Sequence, residues 1–251
     1  MNKILKISIA VVVVFLLVSG TIFYTVRENT KNNSANDNNA SGSYHALAKS
    51  KAGDTVYFGT YEQDNNTKDG KEKIAWRVLA VEKSKVLLFS EKILDSKPYD
   101  TVDEATVTWE KSTLRGWLNN SFLNEAFAAK EKKAVIITDV DNSRYDSSLG
   151  YYSPEGNNTK DKVFLLSLAQ TEKYFKTNTA REAQGTKSAK SKGLDLAPVK
   201  DKNTASSYWW LRSPGYFPGC AFSVDFYGVV NDYSISGVHV GVRPAVWVNV
   251  G

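Results

Sequence analysis

Tyr208-Trp209-Trp210-Leu211-Arg212-Ser213-Pro214-Gly215 opens the stretch that decides the fold, and Gly241-Val242-Arg243-Pro244-Ala245-Val246-Trp247-Val248 closes it. Both ends are built from large apolar and β-branched residues and read as strands. Each carries an arginine followed by a proline, at Arg212/Pro214 and Arg243/Pro244. Proline cannot donate to a ladder, so each marks a sheet edge or a chain exit. Between them lie Tyr216, Phe217, Phe222, Phe226, Tyr227 and Tyr233, interrupted by Gly215, Gly219, Gly228 and Gly237. Consecutive strand residues point to opposite faces, so one core cannot bury all six rings. The expectation is two stiff strands in one sheet, holding an aromatic excursion at one end of the domain. The plainer alternative is a β-meander whose aromatics are all core.

Upstream, Thr55–Gly59 reads as a strand, and Ile74–Val81 with Lys85–Phe89 as a hairpin around a charged turn. Ser112 is a plausible N-cap for a helix over 112–127. Leu114, Trp117, Leu118 and Phe122 share one face of it, and Asn119-Asn120-Ser121 is a potential break. Ala134–Asp139 and Val163–Leu166 read as strands. Ser167 and Gln170 form a capping box for a helix over 168–175, and 177–194 has room for a further short helix. Strands with interspersed helices and no βαβ rhythm indicate the α+β class.

The chain has 251 residues, of which 42% are hydrophobic, 24% charged and 12% aromatic, with six Trp. That suits one good-sized, aromatic-packed core with an appendage. The net charge is +5, but the first 40 residues hold four basic and two acidic side chains, so the remainder falls to +3. A charge so small and scattered gives no basis for nucleic-acid binding.

Residues 1–26 read as a membrane anchor or signal segment. Lys3 and Lys6 precede Ile7–Val26, twenty residues without a charge, which is about the length a bilayer core requires. The basic flank stays inside, which would place the rest of the chain outside the cell membrane as a single-pass protein. The alternative is secretion after cleavage near Gly20, but Thr21–Val26 continues the apolar run past that point. Residues 27–50 are Asn-, Ser- and Thr-rich and read as a disordered linker, leaving 51–251 as the folded domain.

Little catalytic chemistry is on offer. Cys220 is the single cysteine, and His45 and His239 are the only histidines, so a disulfide, a Cys-based metal site and a Ser-His-Asp triad are poorly supplied. His239 reads as a strand residue beside the excursion. There is no Gly-rich phosphate loop. Asp139-Val140-Asp141-Asn142 has the start of a calcium loop without the Gly and Glu that should follow. No metal and no cofactor are expected. Arg77, Arg115, Arg212 and Arg243 each lie in or beside an apolar run and are read as buried forks satisfying loop carbonyls.

Together these segments resemble a family of bacterial domains of unknown function. The resemblance rests on Ile74-Ala-Trp-Arg-Val-Leu79, Ser112-Thr-Leu-Arg-Gly-Trp-Leu-Asn119, Val163-Phe-Leu-Leu-Ser167, the Tyr208–Gly215 run and Gly241-Val-Arg-Pro-Ala245. That family is similar to the C-type-lectin-like fold in its formylglycine-generating-enzyme variant, which the variable proteins of diversity-generating retroelements share. The resemblance implies a structural frame of Trp76, Trp117, Trp209, Trp210, Arg212, Arg243 and Pro244. It also implies a ligand surface of Tyr216, Phe217, Phe222, Asp225, Phe226, Tyr227, Asn231, Tyr233 and His239, with Ser223 and Val229 among them. Two departures stand out. Cys220 alone cannot supply the cysteine pair of formylglycine-generating enzymes, and the sugar motifs of calcium-dependent lectins are missing.

The functional expectation is an exported, membrane-tethered module that binds a protein or glycan and is not an enzyme. An envelope structural or assembly protein is the alternative, ahead of an envelope-polymer hydrolase supported only by scattered carboxylates. Fold alone does not choose among them.

Overall fold

The computed structural model describes residues 46–102, 105–143 and 154–251. The expected anchor at 7–26 and most of the linker lie outside the described residues. Among those described, no helix is long and apolar enough to cross a membrane. The chain divides into Met1–His45 and a compact unit, Ala46–Gly251. Leu47 is fully buried, and the Ser50 hydroxyl donates to its carbonyl at 2.8 Å. The folded unit therefore begins a few residues ahead of the expected boundary at 51.

The compact unit is α+β, with strands dominating. One five-stranded sheet has the order β1-β2-β3-β12-β7, where β1 is Thr55–Tyr61, β2 Glu72–Glu82, β3 Lys85–Ser90, β7 Val163–Phe164 and β12 Ala245–Asn249. A second has the order β10-β9-β8-β11-β4, where β4 is Asp95–Ser96, β8 Trp209–Pro214, β9 Cys220–Val224, β10 Val230–Ser234 and β11 Gly241–Val242. A short ribbon pairs β5 (Thr138–Val140) with β6 (Thr159–Asp161). The expected hairpin is β2–β3, turning at Lys83 with φ of 49°.

The two defining segments do not share one sheet as expected. Gly241 pairs in parallel with Trp209 in the second sheet, whereas Ala245–Asn249 pairs with β3 and β7 in the first. Arg243 and Pro244 make the crossing, and proline suits it because it ends the pairing of β11. The Arg243 guanidinium lies over the rings of Phe89 and Trp209, at 4.2 and 4.8 Å from their centroids. It donates to the Ser90 carbonyl from Nε and Nη2 and to the Glu91 carbonyl from Nη2. Burial pushes this guanidinium down from its ordinary value, with the Glu91 carboxylate opposing the shift.

The indole nitrogens show how the core tolerates so many tryptophans. Trp76 donates to the Phe58 carbonyl, Trp109 to Asp161, Trp209 to the Arg181 carbonyl and Trp210 to the Lys97 carbonyl, at 2.6 to 3.0 Å. Each of these four is at most 2% exposed, so an unpaired N–H would carry a full desolvation cost. Trp117 is half-buried under the Lys97 ammonium.

Ser112 caps α1 (Thr113–Trp117) by accepting from the Arg115 amide. The expected break at Asn119-Asn120-Ser121 is a π-helical turn, Leu118–Phe122, that passes directly into α2 (Leu123–Ala126). The Asn119 side chain bonds the Val163 carbonyl and the Lys162 and Val163 amides, acting as a strand partner for the edge of β7. Ala134 is not in a strand. It ends α3 (Ala129–Ala134), where Glu131 reaches back to the Ala128 amide and holds the helix start, and only Thr138–Val140 becomes β5. The capping box at Ser167 and Gln170 starts α4 (Leu168–Tyr174), followed by α5 (Asn178–Arg181) and α6 (Lys187–Ser191).

Candidate functional site

The excursion between β8 and β11 contains two strands, β9 and β10, joined by a tight turn over 225–229. The turn is built by Asp225. Its carboxylate accepts from the Tyr227 and Val229 amides at 2.8 and 2.9 Å and from Asn231 Nδ2 at 3.2 Å. Gly228 has φ of +74°, and its position packs on the Asn178 backbone, where a Cβ would collide. Arg181 locks the turn from outside, with Nε on the Gly228 carbonyl at 2.7 Å and Nη1 on the Phe175 carbonyl at 3.0 Å.

An unbroken run of rings leads from the core to this turn. Trp109 meets Tyr99 at 6.0 Å between centroids, Tyr99 meets Trp210 at 5.7 Å and Trp210 meets Tyr233 at 6.0 Å. Tyr233 meets Tyr208 at 5.5 Å, Tyr208 meets Phe226 at 5.2 Å and Phe226 meets Tyr227 at 4.4 Å. The inner three rings are at most 2% exposed, the next three are half-buried and Tyr227 is 59% exposed. The outer rings are steeply inclined: Phe226 stands at 88° to Tyr208 and at 72° to Tyr227. Their surface is faceted rather than flat. Burial pushes the Tyr208 hydroxyl up, helped by the nearby carboxylates of Asp225 and Asp195. Exposed Asn231 and Asp195 supply polar groups near these rings, and the Asp195 amide donates to the carbonyl of exposed His239.

The expected ligand residues separate into four groups. Phe226, Tyr227, Tyr233 and Asn231 belong to the ring cluster, with Val229 exposed beside Tyr227. Tyr216 and Phe217 lie in the turn before β9, at the opposite end of that strand from Tyr227, so the excursion is not displayed at one end. Tyr216 packs on Phe222 and Phe217 is 58% exposed. Phe222, Ser223 and Asp225 are not available as display positions. Phe222 is 1% exposed because β9 is covered on both faces, Ser223 is fully buried, and the Asp225 carboxylate is consumed by its own turn. His239 is exposed but not in a strand; its Nδ1 bonds the Gly193 carbonyl at 2.7 Å.

Tyr208 and Asp195 were not expected in the surface. Tyr208 looks like the start of a core strand in the sequence, and only the diagonal approach of Tyr233 across two strands reveals its second role. Asp195 comes from a loop whose sequence carries no local signal. Trp209, Trp210, Arg212, Arg243 and Pro244 are all buried, as expected of a frame.

A family model described as a domain of unknown function, DUF6273, matches residues 83–250. The chain belongs to that family. The match spans β3 to the end of β12, so the whole ring cluster falls inside the DUF6273 domain, whereas β1 and β2 lie before it. No curated protein and no solved structure matches the chain.

One carboxylate cluster in the described residues has the spacing for a cation. Glu62, Asp64 and Glu72 bring one oxygen each within 4.8 Å of one another. These groups already hold the β1–β2 loop of the protein. Glu72 accepts from the Gln63 and Asp64 amides, and Glu62 and Asp64 both accept from the Asn66 amide.

Proposed function

We propose that this DUF6273 protein is an exported, membrane-tethered binding module that recognises a glycan or protein through the cluster of Tyr208, Phe226, Tyr227 and Tyr233. The observation that carries the reading is the ring run from Trp109 to Tyr227. Its inner members are fixed by core packing, so its outer members are ordered before any ligand arrives, and that lowers the entropic cost of binding. Aromatic rings offer large contact area with few rotatable bonds. Polar groups at their border give direction to the contact.

The scaffold reading is the C-type-lectin-like fold implied by the sequence resemblance. It is supported by the return of the last strand, β12, between β3 and β7, with the excursion inserted before it. The tether reading is supported by the uncharged run Ile7–Val26 behind Lys3 and Lys6. On this view the rings face the cell exterior.

Screening the full chain in detergent against glycan and protein arrays tests the binding reading. Hits that disappear with Tyr227→Ala support it, and hits indifferent to both Tyr227→Ala and Phe226→Ala refute it. Protease added to intact cells tests the topology. The domain should be removed; protection until lysis would overturn export.

A further inference from the structure

Arg212 and Ser213, at the far end of β8 from Tyr208, line a cavity of about 320 Å³ with Asp141, Ser143, Ser167, Ala169 and Gln170. This is at the small end of the range for ligand pockets. Arg212 is 4% exposed. Four of the five N–H groups of its guanidinium are spent. Nε donates to the Asp141 carbonyl at 3.3 Å, Nη1 to the Leu165 carbonyl at 2.7 Å and to Gln170 Oε1 at 2.5 Å, and Nη2 to the Asp141 carbonyl at 2.9 Å. The second N–H of Nη2 has no acceptor among the described residues.

Two hydroxyls beside it are in a similar condition. Ser167 Oγ accepts from the Gln170 amide at 3.1 Å, and Ser213 Oγ accepts from the Leu168 amide at 3.0 Å. Neither hydroxyl donates to any described group, so each keeps a proton to offer. At the exposed rim of the cavity, Asp141 Oδ1 takes both the amide and the hydroxyl of Ser143, at 2.9 and 2.7 Å. Asp141 Oδ2 has no partner among the described residues. The Ser143 bonds hold this carboxyl below its ordinary value, and the Arg212 charge adds to the shift. Yet the Asp141 carboxylate and the Arg212 guanidinium form no ion pair in the described structure.

A buried cation with a spare donor thus lies at the floor of one small space whose exposed rim carries the Asp141 carboxylate, and the two form no ion pair. We propose that the cavity binds a free α-amino acid, its carboxylate on Arg212, Ser167 and Ser213 and its ammonium on Asp141. Only a zwitterion answers both charges at once. A simple carboxylate brings a like charge close to Asp141, and a simple amine brings one close to Arg212. A neutral sugar satisfies neither, and a polymer exceeds the volume. This site is independent of the aromatic surface.

Titration calorimetry of the full chain with alanine, acetate and methylamine tests the assignment. Alanine should bind at one saturable site, about tenfold or more tighter than either acetate or methylamine, from the two charge-assisted contacts it makes together. Asp141→Asn should weaken alanine by about tenfold. Ala169→Phe, which fills the cavity without removing a hydrogen bond, should abolish binding and covers the case in which Asp141→Asn disturbs the loop. Acetate binding as tightly as alanine would overturn the zwitterion assignment. Absence of saturable alanine binding, or binding that survives Ala169→Phe, would overturn the site.

Discussion

Gly241 pairs in parallel with Trp209, and its Cα faces so crowded a space that an added Cβ would come within 2.8 Å of the Tyr208 carbonyl oxygen and 3.0 Å of Leu194 Cδ1. The residue lies in β11, two positions before Arg243, where the last segment leaves the second sheet for the first. Its amide donates to the Tyr208 carbonyl at 2.9 Å, so the chain has no freedom to back away. Gly241→Ala should therefore destabilise the domain by about 1–3 kcal/mol, the usual cost of overpacking. Denaturant unfolding should show a lower midpoint with an unchanged slope.

Arg243 gives a contrasting case, in which charge matters less than shape. Lysine would keep the charge but lose both the planar contact with the Phe89 and Trp209 rings and the double contact with Ser90. Arg243→Lys should cost about 2–3 kcal/mol, by analogy with the loss of buried charged hydrogen bonds. The exposed ion pair of Lys160 with Asp139 sets the comparison. Lys160→Ala should change stability by less than about 1 kcal/mol. Equal losses in the two variants would mean that Arg243 is held by electrostatics alone.

Much of this architecture is legible in the sequence where the signal is local. The β2–β3 hairpin, the Ser112 cap and the Ser167/Gln170 capping box depend on residues a few positions apart. The burial of Trp209, Trp210 and Arg243 follows from apolar surroundings. The partition of 241–249 between two sheets does not, because it is decided by which distant strand each half meets: Trp209 for Gly241, and Phe89 and Phe164 for Ala245. The same holds for the surface. Counting rings between Tyr216 and Tyr233 shows that some must be exposed, but not which. Phe222 and Tyr227 look alike in sequence, yet one faces a covered strand and the other a turn tip.

Buried tyrosines give the protein a distinct alkaline limit. Burial, with the Asp95 carboxylate adding to it, pushes the Tyr61 hydroxyl far above its ordinary 10, and burial does the same to Tyr99. A folded pKa above the unfolded one means that the stabilisation is fully present below pH 10. It is lost as pH rises above that, because the unfolded chain releases protons that the fold retains. Stability should be flat through neutral pH with respect to these groups and decline from about pH 10 upward. Following tyrosinate absorbance should show a fraction that ionises only with unfolding. If all thirteen tyrosines titrate together while near-ultraviolet circular dichroism stays native, Tyr61 and Tyr99 are not enclosed as described.

The ring cluster yields the sharpest division between folding and binding. Tyr227 is 59% exposed and its side chain touches Phe226, while Asn231 is exposed at the edge of β10. Tyr233 differs, because it packs on Trp210 and Tyr208 and crowds Gly237. Tyr227→Ala should shift stability by less than about 0.5 kcal/mol, as exposed substitutions commonly do. Tyr233→Ala should cost about 1–3 kcal/mol, since it removes a half-buried ring from a packed run. Both should weaken capture of whatever ligand the arrays reveal, by about 1 kcal/mol or more if the position is a hot spot. Phe222→Leu supplies the control: it lies in the core beneath Tyr216 and should lower stability without changing affinity per folded molecule. Calorimetry and a binding assay on these three variants and the unsubstituted protein separate the effects. Loss of affinity that tracks loss of stability across all of them would mean that the rings only hold the domain together.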